Sequence, residues 1–397
     1  MKKVAFFYFD AGGGHRSAAL ALQQVITGQD RPWETSLVNL QEQLDALDIF
    51  RKLTGIRLQD HYNLLLKKGW TLGTGAMLKG LQVVVRLYQP ALVRALCDFF
   101  RANPADLVVS LIPHFNRALW LSLKAVLPGT PLVTILTDIA DFPPHFWIER
   151  QQQYLICGSD RAVAQARQMG HTDAFILRTS GMILNPRFYE PVTVDRGAER
   201  RRLGLDPDLP TGLVLFGGEG SSAMLGIARR LQSPPRPLQL ILICGRNAKL
   251  AARLRAIEPR IPMFVEGFTR EVPYYMHVSD FFIGKPGPGS ISEAIAMKLP
   301  VIVERNAWNL PQERYNCEWV REQGVGLVLR NFRGIGPAVE ELLDPATHAR
   351  MRANAAALNN RAVFEIPEML AQALTASTPP QSPRPRGGPA PARPGES

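Results

Sequence analysis

Cysteine is scarce and scattered in this chain. Its four residues (Cys97, Cys157, Cys244, Cys317) form no C-x-x-C pair, which argues against a disulfide framework or a zinc site and for a reducing compartment. Long apolar runs are also missing: no segment approaches the roughly 20 apolar residues that span a bilayer. The opening MKKVAFFYFDAGGGH sets lysines before an apolar run, but that run stops at Asp10 with no small-residue cleavage site, so it reads as a first β-strand rather than a signal peptide. No internal repeat is visible, and no nucleic-acid-binding motif accompanies the basic charge. Expected from these absences is a cytoplasmic protein whose membrane contact, if it has any, is peripheral.

What is present is length and alternation. At 397 residues the chain is too long for one ordinary core and suits two domains. KVAFFYF, ADLVVSLI, PLVTILTD and YLICGS read as strands in the first half. TGLVLFGG, LQLILICG, MFVEGF, DFFIGK and LPVIVE do so in the second. Helix-like segments separate them, which is the signature of parallel sheets wrapped by helices. The reading is α/β, with two Rossmann-like doubly wound domains facing a central cleft, at 1–185 and 200–360. A helix at 361–376 is expected to cross back onto the first domain. The tail at 377–397, rich in Pro, Gly, Ser and Arg, has too little apolar surface to fold.

The net charge of +11 is uneven. Between Arg51 and Arg101 nine Lys/Arg face two acids, Asp60 and Asp98. Leu, Val, Trp70 and Phe interleave with them, as in amphipathic helices with cationic edges that bind anionic lipid surfaces. A set of packing helices with solvated charges is the structural alternative.

Two glycine turns and one helix start carry the chemistry. Gly12, Gly13 and Gly14 precede His15 after the first strand, and Gly217, Gly218, Glu219 and Gly220 follow the first strand of the second half. Glycine there permits positive φ and close approach of a ligand to the backbone. The first turn lacks the Lys-Ser/Thr of a Walker phosphate loop. A better diphosphate site is KPGPGSISEA, where a helix starting near Ser290 would offer free N–H groups from Gly287, Gly289, Ser290 and Ile291. Glu293 is placed to accept from a ribose diol. An ordinary capped helix, with Ser290 as N-cap and Glu293 as its capping-box partner, competes with that reading. Three loop histidines follow strands in the first half: His15, His114 and His145.

KPGPGSISEA, then LPVIV, then NLPQERYN resembles the donor-binding half of GT-B glycosyltransferases. The resemblance is to the family of monogalactosyldiacylglycerol synthases and processive diacylglycerol glucosyltransferases, which is related to the lipid II-forming N-acetylglucosaminyltransferase. It implies that Gly287, Gly289 and Ser290 meet the donor diphosphate and Glu293 the ribose, while Gln312, Glu313 and Asn316 contact sugar hydroxyls and nearby phosphate. The backbone near Phe268 would position a uracil, and Gly217, Gly218, Glu219 and Gly220 would line the diphosphate. On the acceptor side it points to Gly13, Gly14, His145 and Trp147. Where the family usually has two glycines after Lys-Pro, this chain has Gly287-Pro288, and proline lacks one phosphate-binding N–H.

Glycosyl transfer needs a base for the acceptor hydroxyl and a stabilised leaving diphosphate. His15 is the first candidate for base or acceptor positioning, and Asp138 the second. A helix N-terminus serves the leaving group without a metal, and no D-x-D pattern sits in a donor-like loop. The expectation is therefore a hexosyltransferase moving sugar from a UDP-sugar to a lipid hydroxyl, diacylglycerol first, with inversion. No cofactor or metal is expected, and no nucleic-acid partner. It would sit peripherally on the inner face of the membrane, through residues 51–101. A UDP-N-acetylglucosamine-dependent transferase or 2-epimerase, and a non-catalytic nucleotide- or lipid-binding protein, stay open as alternatives.

Overall fold

The computed structural model describes residues 1–10, 14–44, 87–142, 145–234, 236–306 and 313–376. Two six-stranded parallel sheets account for the strands. The first runs β2-β1-β3-β4-β5-β6 across the sheet, with β1 Lys2–Tyr8, β2 Trp33–Asn39, β3 Leu107–Ser110, β4 Leu132–Ile135, β5 Tyr154–Cys157 and β6 Ile176–Arg178. The second runs β12-β11-β10-β7-β8-β9, with β7 Thr211–Leu215, β8 Gln239–Ile243, β9 Met263–Glu266, β10 Phe281–Gly284, β11 Val301–Glu304 and β12 Gly326–Leu329.

Both faces of each sheet are covered, which is why the central strands are apolar throughout. Val4, Phe6, Leu107 and Val109 meet Leu22 and Ile26 of the helix Gly14–Gly28 on one side. Phe7 and Val108 meet Leu96 and Phe100 of the helix Gln89–Ala102 on the other. Leu215, Phe282 and Val301 likewise bury Ile291 and Val320, while Val214, Leu240 and Ile283 bury Ile227 and Val339.

Three strands, β2, β6 and β12, lie outside the runs that read as strands in the sequence. Each is a sheet edge. β2 (WETSLVN) buries only Val38, and β6 has three residues, none of them buried. An edge strand lacks the continuous apolar signal of a central one.

The helix Gln89–Ala102 is also a correction. Leu92, Leu96, Cys97 and Phe100 are buried and Phe7 packs on Phe99 and Phe100, so this part of the basic block is a core-packing helix. Residues 51–86 lie outside the described part of the chain.

The helix Ala362–Thr375 places Val363, Ile366 and Leu370 in the first domain's core. The two crossings between domains are tied together: Asn360 Nδ2 donates to Met182 O at 2.8 Å and Ser180 N to Glu365 Oε2 at 2.8 Å. Among the described residues, no helix is long and apolar enough to cross a membrane.

Candidate functional site

Parallel strands deliver their carboxyl ends to one side, and ligands collect there where strand order reverses. In the second sheet β7 and β10 are adjacent, with Leu215 beside Gly284, so the turns beginning at Phe216 and Lys285 emerge together at that reversal. In the first sheet β1, β3 and β4 are neighbours. Their ends bring together His15, His114 and the Thr137–Asp138 pair.

His15 stands in the first turn of the helix Gly14–Gly28. Its Nδ1 lies 3.0 Å from Thr137 Oγ1, and its ring centroid lies 5.8 Å from that of Trp147. Burial lowers its pKa to about 4, against an opposing hydrogen bond with the Leu111 backbone. The positive end of a helix disfavours a cation in the same direction. His15 is therefore a neutral imidazole at physiological pH, as a base must be. Gly14 is the first helical residue and is exposed; Gly13 lies outside the described residues.

Asp138 is buried, and the Trp147 indole N–H donates to its Oδ2 at 2.8 Å. Burial raises its pKa to about 7. The Trp147 bond opposes that rise, the negative charges of Glu313 and Asp141 add to it, and Lys285 opposes it. Glu313 and Lys285 belong to the second domain, so the two halves of the site face each other within electrostatic reach.

Trp147 has no exposed surface; it braces Asp138 and walls His15 rather than presenting a face to the acceptor. Its loop is shaped by Asp141, whose carboxylate accepts from Trp147 N at 2.7 Å and His145 N at 3.1 Å. His145 is exposed, with φ 65°. His114, with φ 67°, donates its backbone N–H to Phe146 O at 2.8 Å and stacks edge-on against the Phe146 ring, which makes it a packing residue of the same loop.

On the donor side the helix runs Pro288–Ala296, two residues earlier than its sequence suggests. Gly287 is its N-cap, Pro288 occupies N1, and no side chain caps it. The Ser290–Glu293 capping box is therefore absent. Ile291 N bonds to Gly287 O, leaving the Gly289 and Ser290 N–H groups at the open helix end, where an anion is best received. Burial raises the Glu293 carboxyl to about 7.

The facing turn needs its glycines. Gly217 and Gly220 have φ 74° and 60°, and a Cβ on Gly220 would sit 2.6 Å from Cys244 O. Arg246 N donates to Gly218 O at 2.8 Å. The Arg246 guanidinium lies 3.6 Å from Glu219 and 4.5 Å over the ring of Phe268, which is half exposed.

Glu313 is buried and accepts from Lys285 Nζ at 3.3 Å. Asn316 has no exposed surface; its Nδ2 donates to Pro286 O at 2.8 Å. Through Nδ2 it ties the helix Arg314–Glu322 to the turn at Pro286. Gln312 lies outside the described residues. Lys285, Thr137 and Asp141 were not singled out by the sequence, although a lysine directly after a buried strand and before a Pro-Gly turn was a usable signal.

Two doubly wound domains, with an open helix end on one side and His15 and Asp138 on the other, have the GT-B glycosyltransferase fold. Comparison with known proteins agrees. Residues 213–368 match the glycosyltransferase family 28 C-terminal domain. The chain is 28% identical over 363 residues to monogalactosyldiacylglycerol synthase 1, chloroplastic, of Arabidopsis thaliana, covering 87% of this chain and 66% of that protein. It is 29% identical over 388 residues to a probable monogalactosyldiacylglycerol synthase of Glycine max, covering 92% and 70%. The chain thus spans just under two thirds of the Arabidopsis protein's length. Acinetobacter baumannii MurG superposes with TM-score 0.64 at 12% identity, covering 94% of this chain and 100% of that one. The calicheamicin glycosyltransferase CalG4 does so with TM-score 0.58 at 15% identity, covering 96% and 100%. The second half of the chain thus carries a glycosyltransferase family 28 C-terminal domain, and the chain as a whole is similar to monogalactosyldiacylglycerol synthases.

Proposed function

We propose that this protein transfers a hexose from a UDP-sugar to a hydroxyl of diacylglycerol, with inversion at the anomeric carbon. The observation that carries the reading is His15, 3.0 Å from Thr137 Oγ1 beside Asp138, set in reach of the half that holds Lys285, Glu313 and the uncapped helix end at Gly289 and Ser290. A base and an oxyanion site are the two groups this transfer requires.

In the tautomer whose Nδ1–H donates to Thr137 Oγ1, Nε2 keeps its lone pair for the acceptor hydroxyl. As the acceptor oxygen bonds to the anomeric carbon, its proton passes to Nε2 and the bond from that carbon to the β-phosphate oxygen breaks. UDP leaves with the electron pair, held by the helix end. Glu293 takes the ribose diol.

UDP as the donor's nucleotide is supported by the structural neighbours solved with it: Staphylococcus aureus MnaA with UDP, and Anabaena HepE with UDP-glucose. Diacylglycerol is supported by the name of the plant relatives. Membrane contact through the basic stretch 51–101, outside the core-packing helix Gln89–Ala102, is part of the proposal. Co-sedimentation with anionic but not neutral liposomes, weakened by neutralising Lys67, Lys68 and Lys79, tests it.

The decisive experiment incubates the protein with labelled UDP-galactose, UDP-glucose and UDP-N-acetylglucosamine and diacylglycerol liposomes, with products identified by mass. A glycosylated diacylglycerol is expected, and it disappears in His15→Ala while UDP binding persists. Epimerised nucleotide sugar without a lipid product would overturn the reading.

A further inference from the structure

Lys285 occupies an unusual place between the two glycine turns of the donor half. It directly follows β10, and its Cε lies 3.8 Å from where a Cβ on Gly217 would be and 3.3 Å from where one on Gly287 would be. Any larger residue at Gly287 would crowd that stem. The ammonium therefore sits beside the open helix end, at the mouth where the two turns meet. It is held there by Glu313, 3.3 Å away, whose side chain is 9% exposed against 43% for Lys285. The carboxylate is buried and the cation is partly exposed.

We propose that the Lys285–Glu313 pair is a donor-operated switch. In the empty site Glu313 holds the ammonium. When a nucleoside diphosphate-sugar binds, the diphosphate takes Lys285 and the sugar hydroxyls take Glu313. This rests on the UDP-sugar reading above and adds to it the cation for the leaving group.

The exchange is driven from both ends. A diphosphate at the Gly289 and Ser290 N–H groups brings more negative charge beside the ammonium than one carboxylate does, and charge-assisted contacts to phosphate are strong. A buried carboxylate stripped of its cation needs replacement donors. Sugar hydroxyls supply them, whereas UDP alone does not. A complete donor thus satisfies both partners, and the product UDP leaves Glu313 wanting its lysine back, which favours release. Asp138 feels both charges from across the cleft, so the exchange is also registered on the acceptor side.

The test is calorimetric titration of UDP and UMP, with turnover of the UDP-sugar, in the wild-type chain and in Lys285→Gln, Lys285→Arg and Glu313→Gln. Lys285→Gln is expected to weaken UDP about 10- to 100-fold and UMP about twofold or less, with Lys285→Arg recovering part of the loss. Glu313→Gln releases the ammonium, so UDP should bind several-fold tighter while turnover falls. That opposite movement is not produced by mere structural damage. UDP binding that is weaker or unchanged in Glu313→Gln, or unchanged in Lys285→Gln, overturns the switch alone. Failure of the wild-type chain to bind UDP overturns the donor reading beneath it.

Discussion

The Trp147 indole donates to Asp138 Oδ2 at 2.8 Å while its ring stands 5.8 Å from the imidazole of His15. One buried side chain thus braces both candidate proton-transfer groups.

Trp147→Phe keeps most of the apolar volume and removes the donor. A hydrogen bond to a charged group contributes about 1.5–3 kcal/mol, and here it holds down a carboxyl that burial has already raised to about 7. The variant should titrate Asp138 higher still. The expected result is an upward move of the acid limb of the kcat/KM profile, with a larger loss of stability at pH 8 than at pH 5. An unmoved limb would show that Asp138 does not govern the rate.

Asp138 also ties stability to pH. Its folded value of about 7 lies above the ordinary 3.8, so the folded chain keeps a proton that the unfolded chain loses. The resulting contribution is complete below about pH 4 and disappears as pH rises through 7. Asp138→Asn removes the buried charge. Its melting temperature should exceed the wild type's at pH 8, by about 2–4 °C for each kcal/mol recovered, and match it near pH 4. Thermal unfolding across that range checks the sign, and activity should fall about 100-fold or more.

Asn316 serves the donor turn indirectly. Its Nδ2 is the donor that meets the Pro286 carbonyl, and it has no exposed surface. Asn316→Ala leaves that carbonyl unmatched, at a cost of about 1–3 kcal/mol. Lower stability and weaker UDP binding are expected, with the preference among UDP-sugars unchanged. An altered sugar preference would restore the sugar-contacting role that the motif implied.

The two domains were legible because buried parallel strands are unbroken apolar runs, and KPGPGSISEA was legible because Pro and Gly punctuate a strand-to-helix turn. Three things were not. Edge strands such as β2 bury one residue, so they lack the unbroken apolar run that marks a central strand. Asn316 and Trp147 stand in the expected motifs but act from behind the surface, since sequence position does not say which way a side chain faces. The Thr137 contact to His15 joins residues 122 apart, and only the neighbouring ends of β1, β3 and β4 bring them together.

Pro288 is where this chain departs from the glycine pair it resembles. The helix begins on it, so its missing N–H falls at N1, where no intrahelical partner is lost. Gly287 before it holds φ −71° and ψ 137°, the extended conformation that a following proline favours. The fold therefore tolerates the proline, and only the anion site gives something up. Pro288→Ala restores one amide beside those of Gly289 and Ser290 and loosens the unfolded chain, which costs about 0.4–1 kcal/mol. UDP should bind about 3- to 10-fold tighter by calorimetry, while the melting temperature drops by a few degrees. Unchanged UDP affinity would mean that the diphosphate rests on Gly289, Ser290 and Lys285 without the first amide of the helix.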